Sequence, residues 1–151
     1  MEPRAAGPVE DGVVVRTGRA RYPTEITVRG HRIRADEPET VGGTDTGPTP
    51  YELVASALGA CTTITLRMYA DRKEWPLEEI VARVRHEKVR GAERGDRFHL
   101  DVELIGDLTD EQRARLLEIA GRCPVHRTLL AGAEVAMGVA EVDAVPAPAG
   151  A

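Results

Sequence analysis

The sequence is poor in aromatic residues, with one Trp, three Tyr and one Phe among 151. Rings to stack on bases are therefore scarce. The 20 Lys and Arg are interspersed with 25 Asp and Glu, for a net charge of -5, so no basic block stands ready for a phosphate backbone. Nucleic acid is excluded as a partner on both counts. Long apolar runs are also missing: no stretch approaches the roughly 18 consecutive apolar residues of a membrane span. The first dozen residues carry Glu2, Pro3, Pro8, Glu10 and Asp11 and lack the apolar run of a signal peptide, so a cytoplasmic location is expected. Cysteine is limited to Cys61 and Cys123. Two cysteines without an export signal read as reduced thiols, catalytic or inert, rather than as a structural disulfide.

What is present suits one globular domain: 42% of the residues are hydrophobic and 30% charged, in a chain long enough to bury a core. No repeat or linker divides it. Residues 13–143 are expected to form the domain, with a disordered segment at 1–12 and a flexible Pro/Ala/Gly-rich tail at 144–151.

Residues 13–21 begin as a strand. TEITVR (24–29) alternates, Arg29-Gly30 reads as a hairpin turn, and HRIRAD (31–36) returns. After the Gly- and Pro-containing loop 37–50, Thr49-Pro50-Tyr51-Glu52 has the form of a helix start. Thr49 is the N-cap, Pro50 the first helical residue, and Glu52 closes a capping box. This helix runs to about Arg72 with apolar residues nearly all the way round, which predicts burial on every side. Strands follow at 80–89 and along RFHLDVELIG, and Thr109 to Gln112 forms a second capping box for a helix ending near Gly121. Cys123-Pro124 opens a short helix, and AEVAMGVAEV (133–142) predicts a closing strand. The order βββ-α-ββ-α-α-β is that of an α+β fold with two antiparallel sheets.

A mid-helix cysteine such as Cys61 commonly serves as a small buried hydrophobe. Cys123 has a more chemical setting. Preceding Pro124, it lies at a helix N-terminus, where free N–H groups and the dipole favour a thiolate, although a plain cap would use the same position. Cys123 and His126 form half of a metal pattern, but no second Cys/His pair completes it. His31, His86 and His99 fall on strand faces and read as solvated.

As a set, PTPYELVASALGACTTITLRMYA (48–70), the preceding GGT…GPTP loop and CPVHRTL (123–129) resemble the two signature segments of the OsmC/Ohr family of hydroperoxide reductases, closest to its OsmC-like branch. The resemblance covers roughly residues 13–142. It implies a thiol peroxidase with no cofactor or metal, folded as an intertwined homodimer around the long cysteine-bearing helices. Cys61 would be the peroxidatic cysteine, oxidised by an organic hydroperoxide to a sulfenic acid, and Cys123 the resolving cysteine that condenses with it. An external dithiol, of the lipoyl type in much of the family, would reduce the disulfide. The family also places a Glu ten residues before the peroxidatic cysteine, where this chain has Tyr51. Glu52 lies one residue later, about 100° further round the helix, and its capping role accounts for it. The family's Arg, from the loop after the first strand, corresponds to Arg21 or Arg19, with Arg21 preferred as the group that stabilises the thiolate. The displaced Glu leaves a second expectation: an OsmC-like stress or small-ligand-binding protein with little turnover. A thiol hydrolase built on Cys61 and a histidine lacks a placed base.

Overall fold

The computed structural model describes residues 12–139. Three short strands come first: β1 (Val14–Thr17), β2 (Thr24–Val28) and β3 (His31–Ala35), paired antiparallel in that order. Arg29 (φ 47°) and Gly30 (φ 82°) both take left-handed backbone, as a two-residue hairpin between right-twisted strands requires. β1 is shorter than the sequence suggests. It ends at Thr17 and gives way to a bend over residues 19–22, where Arg21 (φ 62°) cannot continue a strand.

The loop from Asp36 to Thr49 is built on one carboxylate. Asp36, 2% exposed, accepts hydrogen bonds from the hydroxyls of Thr44 (2.6 Å) and Thr46 (2.7 Å), and from the N–H groups of Glu37 (2.8 Å), Thr44 (3.4 Å) and Thr46 (3.1 Å). Burial alone would raise this carboxyl, but the converging donors outweigh it and hold it well below the usual carboxylate range. The glycines are required by close approach: a Cβ at Gly43 would lie 1.8 Å from the Glu37 carbonyl oxygen, and one at Gly47 2.5 Å from that of Arg34.

This loop delivers the chain to α1 (Pro50–Arg72). The capping box forms: the Thr49 hydroxyl accepts from the Glu52 N–H (3.2 Å), and the Glu52 carboxylate accepts from the Thr49 N–H (2.7 Å). α1 packs against the long hairpin of β4 (Leu77–Lys88) and β5 (Asp96–Gly106), then against α2 (Asp110–Ala120) and α3 (Pro124–Ala131). The main core gathers Leu66, Ala70, Leu77, Leu108, Leu116 and Ile119. Two arginines tie the hairpin's base, Arg67 donating to the carbonyls of Leu77 (2.6 Å) and Glu78 (2.9 Å), and Arg113 to those of Leu104 (2.7 Å) and Gly106 (2.9 Å).

Three expectations need correction. α1 is not buried all round. Its buried residues Ala55, Leu58, Thr62, Leu66 and Ala70 form one stripe, while Ile64 (53%) and Met68 (67%) stand exposed, because a single chain covers only one side. By length and composition α1 is also apolar enough to cross a bilayer, despite the absence of an unbroken apolar run; here its buried stripe is a packing face toward β4 and α2. Finally, residues 133–139 form no strand. The segment alternates apolar and polar residues, but no strand edge among the described residues pairs with it, and Val135, Met137 and Val139 are 77–98% exposed. Residues 140–142 of the expected strand, and the expectations for 1–11 and 144–151, lie outside the described residues.

Candidate active site

The two cysteines meet where α3 begins. Cys61 is on the fourth turn of α1, and Cys123 is the N-cap of α3. Pro124 supplies no N–H, so the first free donors of α3 belong to Val125 and His126. The His126 N–H donates to Cys123 Sγ at 3.4 Å, and the Thr62 hydroxyl lies 3.9 Å from the same sulfur while donating to the Leu58 carbonyl at 2.8 Å. Both thiols are free, and each perturbs the ionisation of the other. Cys123 is fully buried; Cys61 is partly exposed.

These surroundings move the two thiols in opposite directions. Burial pushes Cys61 up, and the neighbouring Cys123 sulfur adds to the effect, against smaller opposition from the Val125 N–H and the Thr65 hydroxyl. For Cys123 burial also acts upward, but the His126 N–H, the Cys61 thiol, the Thr62 hydroxyl and the Val125 N–H together outweigh it, so this thiol is lowered.

The remaining candidates lie elsewhere within the chain. Arg21 donates through Nη1 to the Gly42 carbonyl at 3.0 Å, and Glu52 is engaged in the cap of α1. Tyr51, at the position of the family's Glu, belongs to a different cluster. Its ring stacks on His86 (4.2 Å, 5° between planes), and its hydroxyl accepts from Lys88 Nζ at 3.2 Å. Asp96 accepts from both His86 Nε2 and Lys88 Nζ at 2.7 Å. His86 is therefore packed between Tyr51 and Phe98 rather than solvated, a correction that follows from α1 lying across this strand. His99 faces Glu87 at 3.1 Å. Beside the cluster opens a cavity of about 870 Å³, lined by Val54, Leu58, Phe98, Leu100, Leu129 and His126 among others. The His126 Nδ1 is buried without a hydrogen-bond partner. Among the described residues no group of three or more His, Cys, Asp or Glu gathers as a metal site.

Sequence reasoning anticipated the helix N–H groups at Cys123 but missed the Thr62 hydroxyl beside it and the role of Asp36. The spacing of Thr44 and Thr46 after an Asp that ends a strand was the available signal for the latter.

A dithiol held between a long core helix and a capped helix N-terminus, in an α+β frame of two antiparallel sheets, defines the class. The chain belongs to the family of OsmC-like proteins, whose sequence pattern matches residues 43–137. Its fold is similar to that of an OsmC-like protein from Mycoplasma pneumoniae (TM-score 0.68, 18% identity, 81% of this chain and 88% of that one). It is also similar to the organic hydroperoxide resistance protein OsmC of Legionella pneumophila (0.59, 20%, 81% and 91%). A third similar structure is the organic hydroperoxide resistance protein OhrB of Bacillus subtilis (0.54, 25%, 78% and 87%). No curated protein matches the sequence.

Proposed function

We propose that this protein acts in peroxide defence as a thiol peroxidase, reducing organic hydroperoxides through a Cys61 sulfenic acid that Cys123 resolves to a disulfide. The observation that carries the reading is the placement of Cys123 at the N-cap of α3 against the part of α1 that carries Cys61, with the hydroxyl of Thr62, the residue after Cys61, 3.9 Å from its sulfur. Family membership and the hydroperoxide-resistance neighbours support a peroxide-stress role at the coarser level. The partly exposed Cys61 meets the peroxide, and the buried Cys123 waits beside it. The chemistry needs no cofactor. It does need an external dithiol, of the lipoyl type or another, and a reducing compartment such as the cytoplasm.

The working unit is a homodimer in this reading. The open apolar face of α1 at Ile64 and Met68 and the unpaired segment 133–139 both support a second copy as their cover. With Arg21 on Gly42 and Glu52 in the cap, the reading rests on the two sulfurs.

The large apolar cavity favours a second reading, a ligand-binding stress protein with little turnover. Consumption of cumene hydroperoxide with a dithiol as reductant separates the two. Catalytic turnover abolished by Cys61→Ser supports the peroxidase; absence of turnover in the intact protein leaves the binding protein.

A further inference from the structure

The cavity beside Tyr51 carries a recognition pattern that the dithiol does not use. Neither cysteine is in its wall, which reaches Cys123 through the neighbouring His126. The chain has one Phe and three Tyr, and Phe98 and Tyr51 both line this one space of about 870 Å³. Their rings are held in place before anything binds. Tyr51 stacks on His86 at 4.2 Å with 5° between planes, its hydroxyl is held by Lys88 at 3.2 Å, and Phe98 packs on His86 at 4.9 Å. The charged groups at the hairpin end are paired, with one exception. Asp96 is taken by His86 and Lys88, both at 2.7 Å, and Arg97 by Glu87 at 3.3 Å. Arg94 has no carboxylate within ion-pairing distance among the described residues; it donates to the Leu130 carbonyl, which occupies one of its five N–H groups. Asp96, Phe98 and Leu100 line the wall in turn along β5, about 7 Å apart, so the span from the hairpin end to the aliphatic depth is about 14 Å. Read inward, the cavity offers one unpaired positive charge, two fixed rings, and then aliphatic side chains.

We propose that this cavity binds an aromatic monocarboxylate, a molecule of one or two fused rings with one acid group and a short alkyl chain. The carboxylate meets the free donors of Arg94 at the exposed hairpin end. The rings lie against Tyr51 and Phe98, whose fixed orientation spares the cost of ordering a mobile wall. The alkyl chain fills the space among Leu58, Leu100 and Leu129. A plain alkyl acid satisfies the charge and the depth but leaves the rings unmatched, and a neutral arene leaves Arg94 unmatched. The volume falls within the range of about 300–1,000 Å³ that encloses ligands of drug size. This ligand rests on the ligand-binding reading given above. Its binding makes and breaks no bond, and so is independent of turnover at the dithiol.

Calorimetric titration of the intact reduced protein with 6-butyl-2-naphthoate, in the absence of peroxide, tests the proposal. Binding should saturate at one ligand per chain. It should be at least about fivefold tighter than that of dodecanoate or of the matching neutral alcohol, 6-butyl-2-naphthalenemethanol. Arg94→Gln keeps a donor for the Leu130 carbonyl and removes the charge, so it should weaken the acid at least about fivefold and leave the alcohol unchanged. Phe98→Leu keeps an apolar wall and removes a ring, so it should weaken the naphthoate about threefold or more and spare dodecanoate. No binding by the wild type at millimolar naphthoate would overturn the proposal. So would tighter binding of dodecanoate, or an Arg94→Gln protein that holds the acid as well as wild type does. An Ile64→Asp monomer that binds while the wild-type dimer does not would give the cavity to the second chain, and would overturn it too. The wild-type titration needs no variant, so misfolding cannot mask the result, and failure to consume peroxide bears on the peroxidase reading alone.

Discussion

Gly43→Ala offers a test of how the loop before α1 is held. A methyl group there would be placed 1.8 Å from the Glu37 carbonyl oxygen, 2.4 Å from its carbon and 2.9 Å from its Cα, all inside the 3.0 Å that real Cβ contacts respect. The opposing atoms are backbone, so no side chain can swing aside, and the loop must open by more than about 1 Å. Two bonds span that gap, from the Gly43 N–H to the Pro38 carbonyl and from the Asp45 N–H to the Glu37 carbonyl, each 3.1 Å long. Stretched by about 1 Å they pass beyond hydrogen-bonding distance. At about 1 kcal/mol net for each bond, plus residual strain, the loss comes to about 2–4 kcal/mol. Gly18→Ala is the internal control, because nothing lies within 4 Å of its added methyl group, and it should leave stability unchanged or raise it by up to about 1 kcal/mol. Urea unfolding of the three proteins side by side measures both effects. A Gly43→Ala protein within about 0.5 kcal/mol of wild type would refute the close-approach argument.

Glu52→Gln should preserve both the helix and the peroxidase rate, since α2 already closes its box with Gln112 on Thr109 at 2.9 and 3.1 Å; a tenfold rate loss, about 1.4 kcal/mol, at unchanged stability would give Glu52 a part in the chemistry. Asp36 has its carboxyl held below the free value of about 3.9, so its contribution to stability is fully present above that pH and is lost as pH falls through the folded-state value. Urea midpoints from about pH 6 to about pH 3 should therefore decline less steeply for Asp36→Asn, which starts from a lower neutral value, than for wild type; parallel declines would contradict this. Light scattering at micromolar concentration should find a dimer that Ile64→Asp converts to monomer, its interface exceeding roughly 2,000 Å² as obligate pairs do; a monomeric wild type would contradict it.

The features legible in the sequence were those written locally. Thr49 and Glu52, Thr109 and Gln112, Arg29 and Gly30, and Cys123 before Pro124 each specify a cap or turn within four residues, and each forms. What depended on a distant partner was read less well. A strand at 133–139 needs an edge that the described residues do not supply, and the periodicity of a segment says nothing about who pairs with it. The burial of α1 was overread for the same reason: Ile64 and Met68 are apolar, but apolarity does not say which molecule covers them. Asp36 looked like the polar end of a strand. Its burial depends on Thr44 and Thr46 returning through a loop whose path the glycines dictate. At the site, both cysteines were found from their motifs. The N-cap setting of Cys123 was legible too, because Pro124 follows it; the approach of Thr62 to its sulfur was not, because it depends on how α3 packs on α1.

The central claim is that Cys61 and Cys123 form one redox couple. Treating the reduced protein with one equivalent of cumene hydroperoxide, then mapping its peptides by mass spectrometry without reductant, tests it directly. The account predicts a single linkage between the peptides carrying Cys61 and Cys123, formed within one chain and reopened by a dithiol. Two thiols still free in excess hydroperoxide, or Cys61 driven to sulfinic acid beside an untouched Cys123, would contradict it.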